Sequence, residues 1–288
     1  MATKIPAFSY TGQYRTEMRG GTWYIYLLTS GVLRMNYAKS GVSACVVGGG
    51  ASGEAQTTPP HEDRGMPGGR GGAVANRTGL SVAAGQAYNV VVGAGGSTPP
   101  PAGTFAPGGA SSIFAIYASG GSASTGQGSG QAGANGTHAF GDAGLPRYGA
   151  QGGAGGRDYS AGGNGGADGG GKGASGGSPG VRGADATAGA ANTGAGGGGA
   201  GEFYRDDDSR FNAHGGSAAS GGSGIVILRG TQDDNIPVIF NGTLLADIVY
   251  NGTKITGLIY DGTRIFANAR QKVRERWKCR KSKRLLFV

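Results

Sequence analysis

Residues 120–224 constrain the fold of this chain more than any other stretch, because glycine recurs there at every second or third position. In many places the spacing is three, which is the period of the left-handed polyproline II helix. A glycine on the repeating face lets neighbouring backbones approach closely, since it has no Cβ. The runs with this spacing are Gly130-Gly133-Gly136, Gly141-Gly144, Gly149-Gly152-Gly155, Gly163-Gly166-Gly169, Gly170-Gly173-Gly176 and Gly177-Gly180-Gly183.

Three structures can be considered for this block. Composition alone favours a flexible linker, because ordering the backbone costs about 1–2 kcal/mol per residue and little apolar surface is available for burial. The alternative is a bundle of short polyglycine II helices, in which N–H and C=O groups pair between neighbouring helices. A collagen triple helix is excluded, because the triplet runs are short, often out of phase and poor in proline.

Two observations favour an ordered bundle. Larger side chains interrupt the block as turn or capping residues would, and strands are predicted on both sides of it. The interrupting residues are Phe140, Leu145, Tyr148, Tyr159, Val181, Phe203, Tyr204 and Phe211. The predicted strands are 8–10, 22–28, 32–35, 42–47, 80–82, 88–92, 112–117 and 224–229. Residues 52–77 are predicted to form a loop, because they are polar and contain proline.

Residues 236–266 contain a strict ten-residue repeat. The three copies are Phe240-Asn-Gly-Thr243, Tyr250-Asn-Gly-Thr253 and Tyr260-Asp-Gly-Thr263. Asn-Gly and Asp-Gly between apolar alternations predict hairpins, because a type I′ turn needs positive φ at both central residues. Each copy should therefore pair its aromatic residue with its threonine. Short strands with one apolar face are marginal alone, so we expect this module to pack on the glycine-rich domain or on another subunit.

These patterns predict a mainly β protein with a polyglycine II helix bundle. A small antiparallel sheet or sandwich would frame the glycine-rich helices, and a C-terminal β-hairpin repeat would follow. The predicted parts are a β-rich scaffold with loops at 1–119, the glycine-rich polyglycine II region at 120–224, a strand at 225–230 that closes the first domain, the hairpin module at 236–266 and a basic tail at 267–288.

Positive charge is concentrated near the end of the chain. Residues 264–288 contain ten of the 26 basic residues and one of the 17 acidic residues, which accounts for the whole net charge of +9. This tail should attract a polyanion in a salt-dependent way. It carries no motif for reading bases, so we expect no specific nucleic acid as a partner. The residues expected to anchor the protein to an acidic partner are Arg274, Arg276, Lys278, Arg280, Lys281, Lys283 and Arg284.

The sequence predicts no enzyme, no cofactor and no metal site. The phosphate-loop signature fails, because Lys172 is followed by Gly173 rather than by Ser or Thr. Cys45 and Cys279 are too few for a disulfide framework or a zinc site, and Cys45 is expected to be a buried thiol. No apolar run is long enough for a transmembrane helix or has the features of a signal peptide. We therefore expect assembly in a cytoplasm, without membrane insertion.

Several motifs together resemble the glycine-rich tail-fibre and receptor-binding proteins of bacteriophages. They span residues 8–229 and are Phe8-Ser-Tyr-Thr-Gly12, a strand with Trp23, Leu28-Thr-Ser-Gly31, Val46-Val-Gly-Gly-Gly50, Val90-Val-Val-Gly-Ala-Gly-Gly96 and Gly221-Gly-Ser-Gly-Ile-Val-Ile-Leu228. The Asn-Gly-Thr module also resembles C-terminal modules of phage and prophage tail proteins. The resemblance implies an adhesin of the virion tail, in which polyglycine II helices stack and distal loops touch the host. It also implies a homo-oligomer, most often a trimer.

The leading hypothesis is therefore a non-enzymatic adhesin that recognises a glycan or protein on the host cell surface. Aromatic residues that stack on sugars, with charged neighbours, are the expected contacts. These are Tyr148, Tyr159, Phe203, Tyr204, Arg205 and Phe211. The competing hypothesis is a structural virion component, such as a head fibre or tail-tip connector, that is anchored to other virion proteins by its basic C-terminus.

Overall fold

The computed structural model describes residues 5–56, 65–98, 103–122, 130–157, 160–177, 182–202 and 215–231, together with short strands at 204–205 and 212–213 and seven more strands after residue 237. The chain divides into two compact units, residues 1–231 and residues 232–288. Both are built from antiparallel strands. Across the described ranges, the single helical element is a 3₁₀ turn at Ala139–Gly141.

Among the described residues, fourteen strands belong to the first unit. They are β1 (Phe8–Tyr10), β2 (Tyr14–Arg19), β3 (Thr22–Leu27), β4 (Gly31–Met35), β5 (Lys39–Val47), β6 (Val74–Val82), β7 (Tyr88–Val90), β8 (Ser111–Ile113), β9 (Ile116–Ala118), β10 (Thr137–His138), β11 (Arg147–Tyr148), β12 (Tyr204–Arg205), β13 (Asn212–Ala213) and β14 (Ile225–Thr231).

The main sheet has five strands in the order β2-β3-β14-β5-β6, and a second sheet has three in the order β1-β4-β7. Side chains alternate between the two faces of a strand, and β3 follows this rule. Trp23, Ile25 and Leu27 pack into one core, whereas Tyr24 and Tyr26 pack into another. The first core also takes buried residues from the second sheet and from the β8–β9 hairpin, so this face of the main sheet forms one side of a sandwich.

Residues 137–148 cover part of the other face of the main sheet. They form the short β10–β11 hairpin around the 3₁₀ turn, and Ala139, Leu145 and Tyr148 pack against the tyrosines of β3 and against Ile225 and Ile227. The Gly141-Gly144 pair was predicted to belong to the glycine helices. It lies instead in this hairpin, where Gly141 has a φ of 68°.

The glycine-rich segments connect through backbone hydrogen bonds outside the strand ladders. Residues 194–202 lie at their centre and are all buried. They exchange hydrogen bonds with six other segments. The bonds to each of the best-connected neighbours recur at every third residue along both segments. The six neighbouring segments are residues 48–56, 65–73, 149–157, 170–177, 182–190 and 215–224.

Both polar groups of the central backbone follow this three-residue interval. On the donor side, Gly196, Gly199 and Glu202 donate to Ala150, Gly153 and Gly156, and Gly197 and Ala200 donate to Ala51 and Glu54. On the acceptor side, Gly194, Gly197 and Ala200 accept from Gly72, Gly69 and Met66, and Gly196 and Gly199 accept from Gly171 and Ala174. Successive residues therefore point their polar groups in different directions around the segment.

Two of the predicted boundaries need correction. The hydrogen-bonded glycine-rich segments together are here called the glycine layer. This layer is not confined to residues 120–224, because residues 48–56 and 65–73 take part in it. The predicted loop at 52–77 thus contains two glycine segments and the start of β6. The predicted strand at 112–117 is the β8–β9 hairpin, in which Phe114 and Ala115 turn with φ values of 50° and 57°.

The second unit contains the ten-residue repeat. Its strands are β15 (Val238–Phe240), β16 (Thr243–Leu245), β17 (Val249–Tyr250), β18 (Thr253–Lys254), β19 (Gly257–Tyr260), β20 (Thr263–Ala267) and β21 (Leu285–Phe287). The predicted pairing is confirmed in each copy: Phe240 pairs with Thr243, Tyr250 with Thr253 and Tyr260 with Thr263. The segment predicted to be a basic tail ends in β21, which pairs with β19.

Candidate functional site

The candidate site is the end of the glycine layer that faces away from the main sheet, here called the distal end. At one end each glycine segment joins a strand or a turn of the first unit, and at the other end its described part stops. The described residues at these second ends hydrogen-bond to one another, which places the ends together. The bonds are Gly103 to Ala55, Gly155 to Met66, Gly130 to Gly155, Glu202 to Gly156, Gly176 to Ser160 and Gly201 to Gly216.

Along the sequence, six stretches of chain connect these described ends. They comprise residues 57–64, 99–102, 123–129, 158–159, 178–181 and 203–214. Apart from the backbone of two short strands, they lie outside the described residues. Those strands are β12 and β13, in which Tyr204 pairs with Ala213 and Arg205 with Asn212. The described residues that flank all six stretches thus lie at one end of the folded glycine layer.

An exposed ion pair lies beside the distal end. Arg182 Nη2 lies 2.5 Å from Asp185 Oδ1 and donates to Ser217 Oγ at 2.8 Å. The backbone N–H of Ser217 donates to the same Asp185 oxygen at 2.7 Å. This backbone hydrogen bond, together with the charge of Arg182, holds the pKa of Asp185 below its usual value. The group connects segment 182–190 to segment 215–224.

The expected contact residues do not all lie at this end. Tyr148 is only 4 % exposed and packs in the second core with Tyr24 and Tyr26. Burial raises the pKa of Tyr148 to about 12. The interpretation of Tyr148 as a surface contact is therefore corrected: its ring is part of the core.

The remaining expected contacts belong to the distal connections. Tyr204 and Arg205 form β12, whereas Tyr159, Phe203 and Phe211 lie outside the described residues. All seven expected anchoring residues between Arg274 and Arg284 also lie outside them. Their roles stay predictions.

The cysteine of the first unit belongs to the second core. Cys45 is a free, fully buried thiol, as expected from the sequence, and burial raises its pKa to about 12. Within the ranges that the structure describes, no three His, Cys, Asp or Glu residues come together as metal ligands would. No helix in those ranges is long and apolar enough to cross a membrane.

Sequence patterns did not single out Tyr117, which is the most exposed aromatic side chain among the described residues of the sandwich. Tyr117 in β9 is 66 % exposed, although the residues on either side of it in this strand are buried. The alternation of buried and exposed positions along a strand could have indicated this orientation. The two-strand hairpin that sets the register was not predicted.

Comparison with known proteins agrees with this architecture. A family model described as a glycine-rich domain matches residues 29–231. The match begins before β4, includes all of the glycine segments and ends with β14. No curated protein matches the chain.

Proposed function

We propose that this chain, which belongs to the glycine-rich domain family, is a non-enzymatic adhesin of a bacteriophage tail that recognises a glycan or protein on the host cell surface. One observation carries the proposal: backbone hydrogen bonds hold together, at the distal end of the glycine layer, the described residues that flank six chain connections. Binding residues are often found on loops that a rigid scaffold positions. The resemblance to phage tail proteins supplies the class of target.

The proposal includes a bundle of polyglycine II helices as the scaffold. Three-residue intervals and six hydrogen-bonded neighbours around residues 194–202 support it. A helix of this type has three residues per turn and no internal hydrogen bonds, so its amides pair with surrounding helices. At about 3.1 Å per residue, a segment of roughly eight residues would hold the distal connections some 25 Å from the sheet.

Aromatic residues of the distal connections are the proposed receptor contacts. Tyr159, Phe203, Tyr204 and Phe211 supply rings that can stack on a sugar or on an apolar side chain, and Arg205 supplies charge. Large aromatic side chains often dominate the energy of an interface. Tyr148 is left out of this set, because it is buried.

The test is binding of the labelled full-length protein to a panel of bacterial cells. A variant in which Tyr159, Phe203, Tyr204 and Phe211 are alanine should lose binding to any strain that the unaltered protein recognises. Tyr117→Ala is the matched control, because it removes an exposed aromatic ring from the sandwich. Equal loss in the control, or full binding by the four-alanine variant, would contradict the assignment of the distal end.

A structural virion component is the second candidate, and the concentration of the net charge in residues 264–288 favours it. On this proposal the basic tail holds the protein to an acidic virion partner, and no cell panel would reveal binding. One truncation experiment distinguishes the two proposals. Removal of residues 267–288 should abolish incorporation into particles if the tail is the anchor, and it should leave cell binding intact if the protein is an adhesin.

We also propose that residues 232–288 mediate self-association, with a trimer as the expected form. The observed hairpins are short, and isolated hairpins are marginally stable in water. Removal of this unit should lower the solution mass from that of an oligomer to that of a single chain. An unchanged subunit number would argue that the first unit mediates assembly.

A further inference from the structure

A groove lies at the opposite end of the glycine layer, where two turns meet the main sheet. It has a volume of about 390 Å³, which is within the roughly 300–1,000 Å³ that is typical of small-molecule sites. Its polar lining comes from four separate parts of the chain: Arg15 of β2, Arg147 of β11, Asp168, and the turn residues Asn192 and Thr193. We call it the proximal groove.

The floor of the proximal groove is apolar. Leu28, Pro146, Tyr148 and Ile225 contribute to its lining. Tyr148 and Ile225 are fixed in the second core. A lining that combines apolar and polar groups suits a ligand that has both kinds of surface, as a sugar ring does. It does not suit a wholly ionic ligand such as a free inorganic anion.

The two turns on the rim are held in place by their own contacts. Asn192 has a φ of 57° and donates through Nδ2 to the carbonyl oxygens of Leu28 and Gly224. Asp168 has a φ of 65°, and its Oδ2 accepts the backbone N–H of Arg147 at 3.2 Å. Asn and Asp tolerate this left-handed region better than other non-glycine residues. The second carboxylate oxygen of Asp168 keeps acceptor capacity for a ligand hydroxyl.

The two arginines are positioned by neighbouring side chains. The guanidinium carbon of Arg15 lies 3.6 Å from the centre of the Tyr26 ring, and its Nη1 lies 3.8 Å from Glu17. Arg147 donates through Nε to His138 Nε2 at 3.0 Å. The other His138 nitrogen lies 2.6 Å from the Leu145 carbonyl oxygen, which identifies it as the protonated one. With Asp168, the charged lining residues have a net charge of +1.

The geometry points to a binding site for a single sugar residue that carries a carboxylate. Arginine is the preferred partner of carboxylates, because its planar fork of donors matches their geometry. Arg15 and Arg147 bind the carboxylate, Asp168 accepts hydrogen bonds from hydroxyl groups, and the accessible apolar lining residues, Leu28 and Pro146, contact a face of the ring. This site is separate from the distal end, and it does not depend on the protein being an adhesin.

The experiment is a calorimetric titration of the full-length protein with glucuronate, with glucose as the uncharged match. We expect saturable binding of glucuronate and at least tenfold weaker binding of glucose. Arg15→Ala and Arg147→Ala should each weaken glucuronate binding roughly tenfold, as expected for loss of a hydrogen bond to a charged group. Arg182→Ala is the matched control, since Arg182 and Arg15 have nearly equal exposure, 55% and 54%.

Arg15→Ala also guards against a folding artefact, because this side chain is exposed and its removal leaves both cores intact. Absence of saturable glucuronate binding, equal binding of glucose, or binding that neither arginine variant weakens would overturn the proposal. None of these results bears on cell binding through the distal end. Failure of this site can therefore be told apart from failure of the adhesin proposal.

Discussion

At the scale of single residues, the absence of a side chain is what permits residues 194–202 to lie among six neighbouring segments. A Cβ placed on Gly196, Gly197 or Gly198 would come within 3.0 Å of a backbone carbonyl oxygen of a neighbouring segment. Such an oxygen is held by the hydrogen-bonded backbone around it and cannot move aside as the end of a flexible side chain can. Alanine is accepted only at particular positions, such as the buried Ala195 and Ala200.

Gly197→Ala is therefore predicted to destabilise the first unit by at least about 3 kcal/mol, the upper part of the usual range for an overpacked interior. Its Cβ would meet the carbonyl oxygens of Ala219 and Ser220. Gly144→Ala is the matched control, because the nearest atom to its added Cβ is an Asp142 side-chain oxygen at 3.3 Å. Urea denaturation of both variants measures the difference. Equal stability of the two would contradict close backbone packing at Gly197.

Glu17 gives a prediction about pH. The hydrogen bonds from Arg19 and Tyr26 lower the pKa of Glu17 from its ordinary value of 4.5, against a smaller opposing effect of burial. A carboxyl group with a lowered folded-state pKa stabilises the fold above its unfolded-state pKa and loses that contribution as pH falls. Glu17→Gln should thus be less stable than the unaltered protein at neutral pH, and the difference should shrink below about pH 4.5. Denaturation at a series of pH values tests this, and a difference independent of pH would refute it.

At the scale of elements, β14 holds the main sheet together although it comes last in the first unit. It pairs with β3 from Val226 to Thr231 and with β5 from Ile225 to Arg229. Trp23 Nε1 also donates to the carbonyl oxygen of Thr231 at 3.0 Å. β14 is the central strand of the sheet. Without it, no hydrogen-bond ladder would join β2 and β3 to β5 and β6.

Two truncations separate the role of β14 from that of the second unit. Removal of residues 232–288 should leave the first unit folded, because that range is a separate compact unit. Removal of residues 225–288 should prevent folding, since both cores lose buried residues of β14. Near-ultraviolet circular dichroism and thermal melting compare the two proteins. A cooperative melt of the shorter protein would show that the sheet closes without β14.

The strands were predictable where the sequence alternates or repeats. In the run at 22–28 and in the ten-residue repeat, alternation and turn residues indicate where each strand lies. Both were predicted within a residue or two of the observed strands. β2 was missed, because Tyr14–Arg19 is an edge strand whose residues are mostly exposed and polar. The turn at Phe114 and Ala115 was missed, because neither residue type signals a positive φ.

The candidate sites could be predicted only in part, because they depend on contacts between distant segments. The rim of the proximal groove brings Arg15 together with Arg147 and Asn192, and no local pattern indicates that juxtaposition. The sequence predicts Tyr148 as a surface contact, since an aromatic residue among glycines has no periodicity to show which way it faces. Its burial follows from the position of the β10–β11 hairpin on the main sheet.

At the scale of the whole molecule, charge is divided very unevenly along the chain. The 263 residues before Arg264 carry 16 basic and 16 acidic side chains, so the net charge of +9 belongs to the remaining 25 residues. The full-length protein should bind a sulfated polysaccharide resin and elute with moderate salt, because such binding depends on counterion release. A protein that lacks residues 264–288 should pass through the same resin. Retention of the shortened protein would show that residues 1–263 contain a site that binds polyanions.

The glycine layer also determines how stability should respond to temperature. Unfolding of a typical domain raises its heat capacity by about 12–15 cal/mol/K per residue, mainly because apolar side chains become hydrated, whereas hydration of polar groups lowers the heat capacity. Residues 194–202 and their six neighbours bury mostly peptide groups. Calorimetry on residues 1–231 should therefore give a value per residue below that range, and a value within it would contradict this view. A small heat-capacity change broadens the stability curve, so the free energy of unfolding should vary little between cold and warm surroundings.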